Sequence, residues 1–346
     1  MGERMLVRSF AKLNLALAVA PAEPASSARA GWHRICSWFA PIALHDELEI
    51  APLASGKASR FDIQWAQDAP RPSPIDWALE KDLAFRAHSA LEKHLGRALP
   101  IDMTLRKRIP VGGGLGGGSS NAGAMLRALR TLFNLDLSLD QLRTLSAPLG
   151  SDVAFFLDED REPSDDTESL DGLDLTHAPR SAIVSGFGET ILRVDTPPED
   201  VLLLVPGFGC PTPAVYRAFD ALPPREFDDA RVHDLVRRAS GLDPDSSSHP
   251  PEGDDDSPAI PVLDLFNDLA LAACSVEPRL KRAMELALAP TQIPVYVTGS
   301  GSTLFVPFHI EEDDEAINRL ADLAEQNLPR DHVQGLGVVA VPTRVV

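Results

Sequence analysis

The sequence predicts an α+β fold in two domains. Three observations lead there. The 346 residues exceed what one ordinary hydrophobic core accommodates. Apolar strands with polar interruptions, of the kind that suit antiparallel sheets, are mixed with helices rather than alternating with them as regular β-α-β units. With 44% hydrophobic and 24% charged residues, the chain has the composition of a globular protein and enough apolar material for two cores.

In chain order, Met5–Val19 and Ile42–Ala51 read as strands, separated by a loop rich in Pro, Ala and Ser. His45-Asp46-Glu47 interrupts the apolar alternation of the second strand. Asp82–Leu95 has helical spacing through Leu83, Phe85, Ala87 and Leu91. Ile101–Val111 is a strand that ends in a run of glycines. A helix is expected from about Ser120, with Ser119 or Ser120 as its N-cap. Its buried face is Ala122, Met125, Leu126, Leu129, Leu132 and Phe133. Ser138 starts a second helix with Leu142 and Leu145 inward. Further strands are expected at Ala182–Val184, Val201–Val205, Val295–Val297 and Leu304–Phe308, and helices at Pro278–Ala289 and Asp313–Gln326. No internal repeat is visible.

The net charge is −19, which argues against nucleic acid or an anionic membrane surface as partner. Most of it is local. The stretches Asp158–Asp174 and Asp243–Asp256 together carry −14. Both lack periodicity and are rich in Asp, Ser and Pro, so they read as disordered surface insertions. The rest of the chain carries −5, from −19 less −14, and need not repel a phosphorylated substrate.

Three cysteines, Cys36, Cys210 and Cys274, form neither a disulfide framework nor a metal-binding pair, which suits a reducing cytoplasm. No apolar run is long enough to span a membrane. Arg4 and Arg8 before Leu13–Ala20 have the look of a secretory leader. Lys12 and Asn14 interrupt its apolar centre, and the strand is the better reading.

The segment Ile109-Pro110-Val111-Gly112-Gly113-Gly114-Leu115-Gly116-Gly117-Gly118-Ser119-Ser120-Asn121 is the strongest chemical signal. So many glycines are costly to order. The cost makes sense where backbone N–H groups must approach an anion, with a helix N-terminus behind them. A flexible linker would rarely sit between a strand and an amphipathic helix. A Walker A loop is excluded, because Ser119 stands where its lysine belongs. Gly112, Gly114 and Gly117 also fit a dinucleotide-binding fingerprint, but a glycine run satisfies almost any glycine pattern. The preceding Leu105–Pro110 is too polar for a central parallel strand.

This segment resembles the second motif of the GHMP kinases, whose glycine-serine loop wraps the triphosphate of ATP. Ala11-Lys12-Leu13-Asn14-Leu15 is similar to the N-terminal motif, Gly150-Ser151-Asp152-Val153-Ala154-Phe155-Phe156 to the motif with the catalytic Asp, and Thr298-Gly299-Ser300-Gly301-Ser302 to the third motif. Gly31-Trp32-His33, Pro211–Tyr216 and Phe266-Asn267-Asp268-Leu269 match further segments, the last without a clear role. Lys107-Arg108-Ile109-Pro110 before the glycines is most similar to the branch acting on a cytidine diphosphate sugar alcohol in non-mevalonate isoprenoid synthesis.

The resemblance implies a two-domain GHMP kinase fold. A ribosomal S5 domain 2-like ATP-binding domain would cover 1–157 and a ferredoxin-like substrate domain 179–346, with acidic segments at 158–178 and 243–258. It implies ATP and Mg²⁺ as cofactors and phosphorylation of the acceptor's 2-hydroxyl. Lys12 and Asp152 would be catalytic. Lys107, Pro110, Gly112, Gly113, Gly114, Leu115, Gly116, Gly117, Gly118, Ser119 and Ser120 would bind ATP, with Ser120 a candidate Mg²⁺ contact and the other metal ligands unassigned. Asn14, Trp32, His33, Thr212 and Tyr216 would bind the acceptor. Cytosine stacked between Trp32 and Tyr216 would gain roughly 1–3 kcal/mol per contact. The sequence departs from the pattern at Trp32 (usually Tyr), Ala154 (usually Pro) and Asp82 (usually Asn). A monomer or homodimer, a different alcohol acceptor, an inactive nucleotide-binding homologue and a Rossmann oxidoreductase remain open at this level.

Overall fold

The computed structural model describes residues 4–158, 177–241, 259–291, 293–308 and 337–346. The acidic segments expected at 158–178 and 243–258 lie outside these residues, apart from Asp158, His177 and Ala178. So does the helix expected at Asp313–Gln326. The chain divides into two compact units. One comprises Met1–Lys12, Ile42–Val111 and Gly116–Pro179, and the other Leu13–Pro41, Gly112–Leu115 and Arg180–Val346. Each has its own core.

Two long strands, β1 (Met5–Ala22) and β2 (His33–Pro52), contribute residues to both units. β2 starts well before the expected Ile42. Cys36–Ile42 is buried at every position, so this stretch shows none of the alternation that marks a half-buried strand. In the first unit, β3 (Arg60–Trp65) pairs parallel with β4 (Ile101–Lys107), and β4 pairs antiparallel with β2 from Glu47–Arg106 to Pro52–Ile101. Every second residue of β4 is buried, Ile101, Met103, Leu105 and finally Lys107. Helix α1 (Leu83–Leu95) is capped by Asp82, whose carboxylate accepts from Ala84 N and Phe85 N. It lies against α2 (Gly117–Leu132), which is buried from Ser120 to Leu129. Helix α3 (Leu139–Ser146) starts where expected, with Ser138 as its cap and Gln141 completing a capping box. A 3-10 helix over Val153–Phe156 closes the unit.

In the second unit, the early part of β2 pairs antiparallel with β5 (Ala182–Gly186), which pairs with β6 (Thr190–Arg193). Next come β7 (Asp200–Val205), α4 (Thr212–Asp220), α5 (Asp229–Ala239) and β8 (Phe266–Asn267), the last pairing parallel with β1 at Ala16 and Leu17. Then follow α6 (Ala270–Val276), α7 (Pro278–Thr291), β9 (Tyr296–Val297), β10 (Leu304–Phe308) and β11 (Val339–Arg344). A second sheet has the order β11-β7-β10-β9 and is antiparallel throughout. The α+β class is thus borne out. The glycine run follows β4, a strand paired antiparallel with β2, and not the central strand of a doubly wound parallel sheet. Among the described residues, no helix is long and apolar enough to cross a membrane.

Candidate active site

Helix α2 starts at Gly117, earlier than the serines suggest. Gly116 occupies its N-cap position at φ +72°, and no side chain caps the helix. The turn of chain direction is made by a left-handed residue, which glycine adopts without a Cβ penalty. Ser120 N donates to Gly116 O at 2.9 Å, the first bond of the helical ladder. The amides of Gly117, Gly118 and Ser119 therefore sit in the first turn, where N–H groups and the helix dipole favour an anion.

Gly116 also seats Lys12. A Cβ on Gly116 would lie 3.1 Å from Lys12 Cγ, 3.3 Å from Lys12 Cε and 3.1 Å from Phe156 Cζ. Lys12 is 3% exposed. Its Nζ stands 3.7 Å from Asp152 Oδ2, and the Asp152 side chain keeps 28% exposure. Burial holds the Lys12 ammonium below its ordinary pKa, and the charge and hydrogen bond of Asp152 oppose that shift. Asp152 occupies the N-cap position of the 3-10 helix but does not cap it. Its carboxylate meets Lys12 and, at 3.0 Å, the Ser151 hydroxyl. Gly123 admits Phe156 so closely that a Cβ there would be 2.8 Å from Phe156 Cβ, which fixes the 3-10 helix on α2.

The other residues expected at the nucleotide are spread over different environments. Lys107 is buried and its Nζ is 2.6 Å from Asp46 Oδ2. Ser120 is 2% exposed, with its hydroxyl 2.8 Å from that of Ser9. Ser119 is half-buried, and Gly150 would bring a Cβ within 3.8 Å of its Oγ. Asp82, at the position expected near adenine, is committed to capping α1 and accepts from Trp77 Nε1 at 3.3 Å. Among the described residues, no three His, Cys, Asp or Glu side chains gather where they could hold a metal ion.

In the second unit, Gly112–Leu115 packs onto the β9–β10 turn. A Cβ on Gly301 would fall 2.3 Å from Gly113 C and Gly114 N, and one on Gly114 would fall 2.5 Å from Thr298 O. Thr303 N donates to Gly113 O at 3.3 Å. Backbone lies directly on backbone, so Gly301 and Gly114 admit no side chain. The Asn267 side chain holds this turn by donating to Val297 O at 2.7 Å and Gly299 O at 2.8 Å. That supplies the role the sequence left open for Phe266–Leu269. Asp268 is fixed beside it, accepting from Val19 N at 2.9 Å. Asn14 is buried, with its amide donating to Ser37 Oγ at 2.9 Å and its backbone N to Thr298 Oγ1 at 3.0 Å.

Of the expected acceptor residues, His33 and Tyr216 come together. Their ring centroids are 4.9 Å apart, and Phe219 meets the edge of His33 at 5.9 Å. His33 Nδ1 lies 2.9 Å from Ala20 O, so Nδ1 carries the hydrogen, and Nε2 faces Asp220 Oδ1 at 3.5 Å. Trp32 is 59% exposed, and its ring meets the edge of Phe187 at 6.2 Å. Thr212 begins α4, with its hydroxyl 2.8 Å from that of Ser300.

A glycine-started helix beside a buried lysine and a partly exposed aspartate suits phosphoryl transfer, and residues 82–159 match the family described as GHMP kinases N terminal domain. A 4-diphosphocytidyl-2-C-methyl-D-erythritol kinase of Nocardia farcinica is 31% identical over 333 residues, covering 94% of this chain and 91% of its own length. A Burkholderia pseudomallei protein of the same name is 29% identical, with 88% and 86% covered. A crystal structure of 4-(cytidine 5'-diphospho)-2C-methyl-D-erythritol kinase superposes with TM-score 0.63 at 27% identity over 98% of both chains. The Methanococcus jannaschii mevalonate kinase shares the fold at TM-score 0.56 and 13% identity, with 100% of this chain and 99% of that one covered. This chain belongs to the 4-diphosphocytidyl-2-C-methyl-D-erythritol kinase family, and it is a kinase.

Proposed function

We propose that the chain transfers the γ-phosphoryl group of ATP to the 2-hydroxyl of 4-diphosphocytidyl-2-C-methyl-D-erythritol, with Asp152 and Lys12 as its catalytic residues. The observation that carries this reading is the Lys12–Asp152 pair, its lysine seated on Gly116 at the N-cap of α2. Phosphoryl transfer passes through a loose transition state, so positioning and charge stabilisation do most of the work. The amides of the glycine segment would hold the phosphates. Asp152, partly exposed, would take the proton from the attacking hydroxyl, an effect of about 10²–10⁴ in rate. Lys12 would balance charge on the attacking oxygen. His33 and Tyr216 would hold the cytosine, with the exposed Trp32 as a further ring.

Mg²⁺ fits this arrangement as a companion of the nucleotide, since it binds through one or two carboxylates plus substrate phosphates and needs no protein cage. When bound it neutralises charge on the β- and γ-phosphates. Asp152, partly exposed, would be a carboxylate able to meet it, whereas Ser120 is turned into the interior toward Ser9.

The test is transfer of label from γ-labelled ATP to a panel of alcohols that includes the cytidine diphosphate sugar alcohol. Transfer to that acceptor and its loss in Asp152→Asn are expected. Labelling of a different alcohol alone would overturn the acceptor, and near-normal activity of Asp152→Asn would overturn the proton transfer.

A further inference from the structure

Asp46 is the most completely engaged carboxylate among the described residues, and the proposed mechanism does not use it. It is fully buried. Its Oδ1 accepts from Arg108 N at 2.6 Å and from Ile109 N at 2.7 Å. Its Oδ2 accepts from Lys107 Nζ at 2.6 Å and from Asn121 Nδ2 at 2.9 Å. Asn121 in turn has its Oδ1 2.6 Å from Ser9 Oγ, which stands 2.8 Å from Ser120 Oγ.

The placement of these donors is informative. Arg108 and Ile109 are the residues that lead out of β4 into the glycine segment. Asn121 lies in α2, just beyond that segment's end. One carboxylate, carried on β2, therefore ties down the chain immediately before Pro110 and immediately after Ser120. The glycines between have little conformational preference of their own. Where their amides point therefore depends on how the two stems are held, together with the β9–β10 turn that packs on Gly113 and Gly114. A buried anion with four donors is a rigid clamp, because moving any donor leaves part of a buried charge unpaired.

We propose that Asp46 is a positioning residue for nucleotide binding, holding both stems of the phosphate-binding segment. This rests on the reading of that segment as an ATP site. Lys107 then acts through Asp46 and completes the clamp. The proposal also explains why the strand Ile42–Ala51 carries a buried carboxylate among its inward-facing positions.

The test uses the full chain and direct calorimetric binding of a non-hydrolysable ATP analogue, which does not depend on the acceptor. Asn121→Ala removes the helix-side bond and leaves Asp46 three donors. It should weaken the analogue by about tenfold, in line with the cost of slight misplacement, while KM for the acceptor is unchanged. Asp46→Asn keeps the acceptor facing Arg108 N and Ile109 N but sets an amide against Lys107 and Asn121. It should weaken the analogue further. The double variant Asp46→Asn with Asn121→Asp reverses the polarity of that contact and should recover part of the affinity. A folded Asn121→Ala or Asp46→Asn with wild-type analogue affinity would overturn the proposal. So would an equal loss of analogue affinity and acceptor KM, which is the mark of general damage. If Asp46→Asn does not fold, Asn121→Ala decides alone. Absence of phosphoryl transfer with intact analogue binding would count against the proposed reaction and leave this inference standing.

Discussion

Replacing Gly116 by Ala tests the seat of Lys12 directly. The first cost is conformational. Gly116 sits at φ +72°, and an L-residue in the left-handed region costs roughly 1–2 kcal/mol. The second cost is steric. The new Cβ would stand 3.1 Å from Lys12 Cγ and from Phe156 Cζ, and 3.3 Å from Lys12 Cε. These are side-chain atoms, so they yield by a few tenths of an ångström, at about 1 kcal/mol for an off-rotamer displacement. The sum is a destabilisation of roughly 2–3 kcal/mol, large for a single methyl group but survivable. The functional effect comes from where the displacement goes. The Lys12 stem moves, and its Nζ is already 3.7 Å from Asp152. A drop in kcat of about tenfold to a hundredfold is expected.

Gly56→Ala, outside the phosphate-binding segment, is the control. Gly56 has a comparable φ of +82°, but its Cβ would meet nothing within 4 Å. It should share the backbone cost and lack the effect on Lys12. Steady-state kinetics and thermal unfolding of both variants decide the matter. A folded Gly116→Ala enzyme with wild-type kcat would refute the reasoning.

Four further outcomes are expected. Burial lowers the Lys12 pKa in the folded state, so between that value and the unfolded one the unfolded chain binds more protons. Stability therefore rises with pH across that window, while the ammonium opposite Asp152 is lost, so activity falls at a lower pH than an ordinary lysine would give. Asp152→Asn removes both effects that raise the Lys12 pKa, and NMR titration of labelled lysine should show it move further down; upward movement would contradict this. Asn267→Ala leaves Val297 O and Gly299 O without their donor, which should cost about 1–3 kcal/mol in thermal or denaturant unfolding and raise KM for ATP, because the turn they belong to supports Gly113 and Gly114. Burial, with Asp229 adding to it, pushes the Cys36 thiol up to about 12, and burial first among its causes pushes Cys210 to about 11. Both should react slowly with thiol reagents at neutral pH and rapidly once the chain is denatured, whereas a fast native phase with two thiols would contradict that burial.

Much of this was legible in the sequence where local chemistry decides the structure. The helix start at Ser138 and the β10 span Leu304–Phe308 follow from composition and period and stand as expected, whereas the strand from Ile101 ends at Lys107 and not at Val111, where Asp46 takes the Arg108 and Ile109 amides instead of a neighbouring strand. Lys12 drew notice because a lysine in an apolar strand needs a partner. The start of α2 was misplaced because a run of glycines has no local cap signal. The φ of Gly116 is fixed by what packs around it, including Lys12 and Phe156. The first half of β2 was missed because burial on both faces erases alternation. Asn267 was visible only as a motif, since its partners Val297 and Gly299 are thirty and more residues away. The Trp32–Phe187 contact is likewise remote in sequence.

The two Asp–Lys pairs of the first unit show why residue type alone does not separate the proposed base from the proposed clamp. Asp46 and Lys107 are 2.6 Å apart, and the carboxylate has four donors and no exposure. Every strong acceptor position is in use, so a proton arriving there would displace a buried hydrogen bond to a charged or amide donor. Asp152 and Lys12 are 3.7 Å apart, and the carboxylate's described partners are Lys12 and the Ser151 hydroxyl. At 28% exposure it retains lone pairs that an incoming hydroxyl can reach. General-base chemistry needs an acceptor within hydrogen-bond distance of the substrate proton, and of the two only Asp152 can offer one. Rigid pairing suits Asp46 to positioning for the same reason that it disqualifies Asp46 from proton transfer.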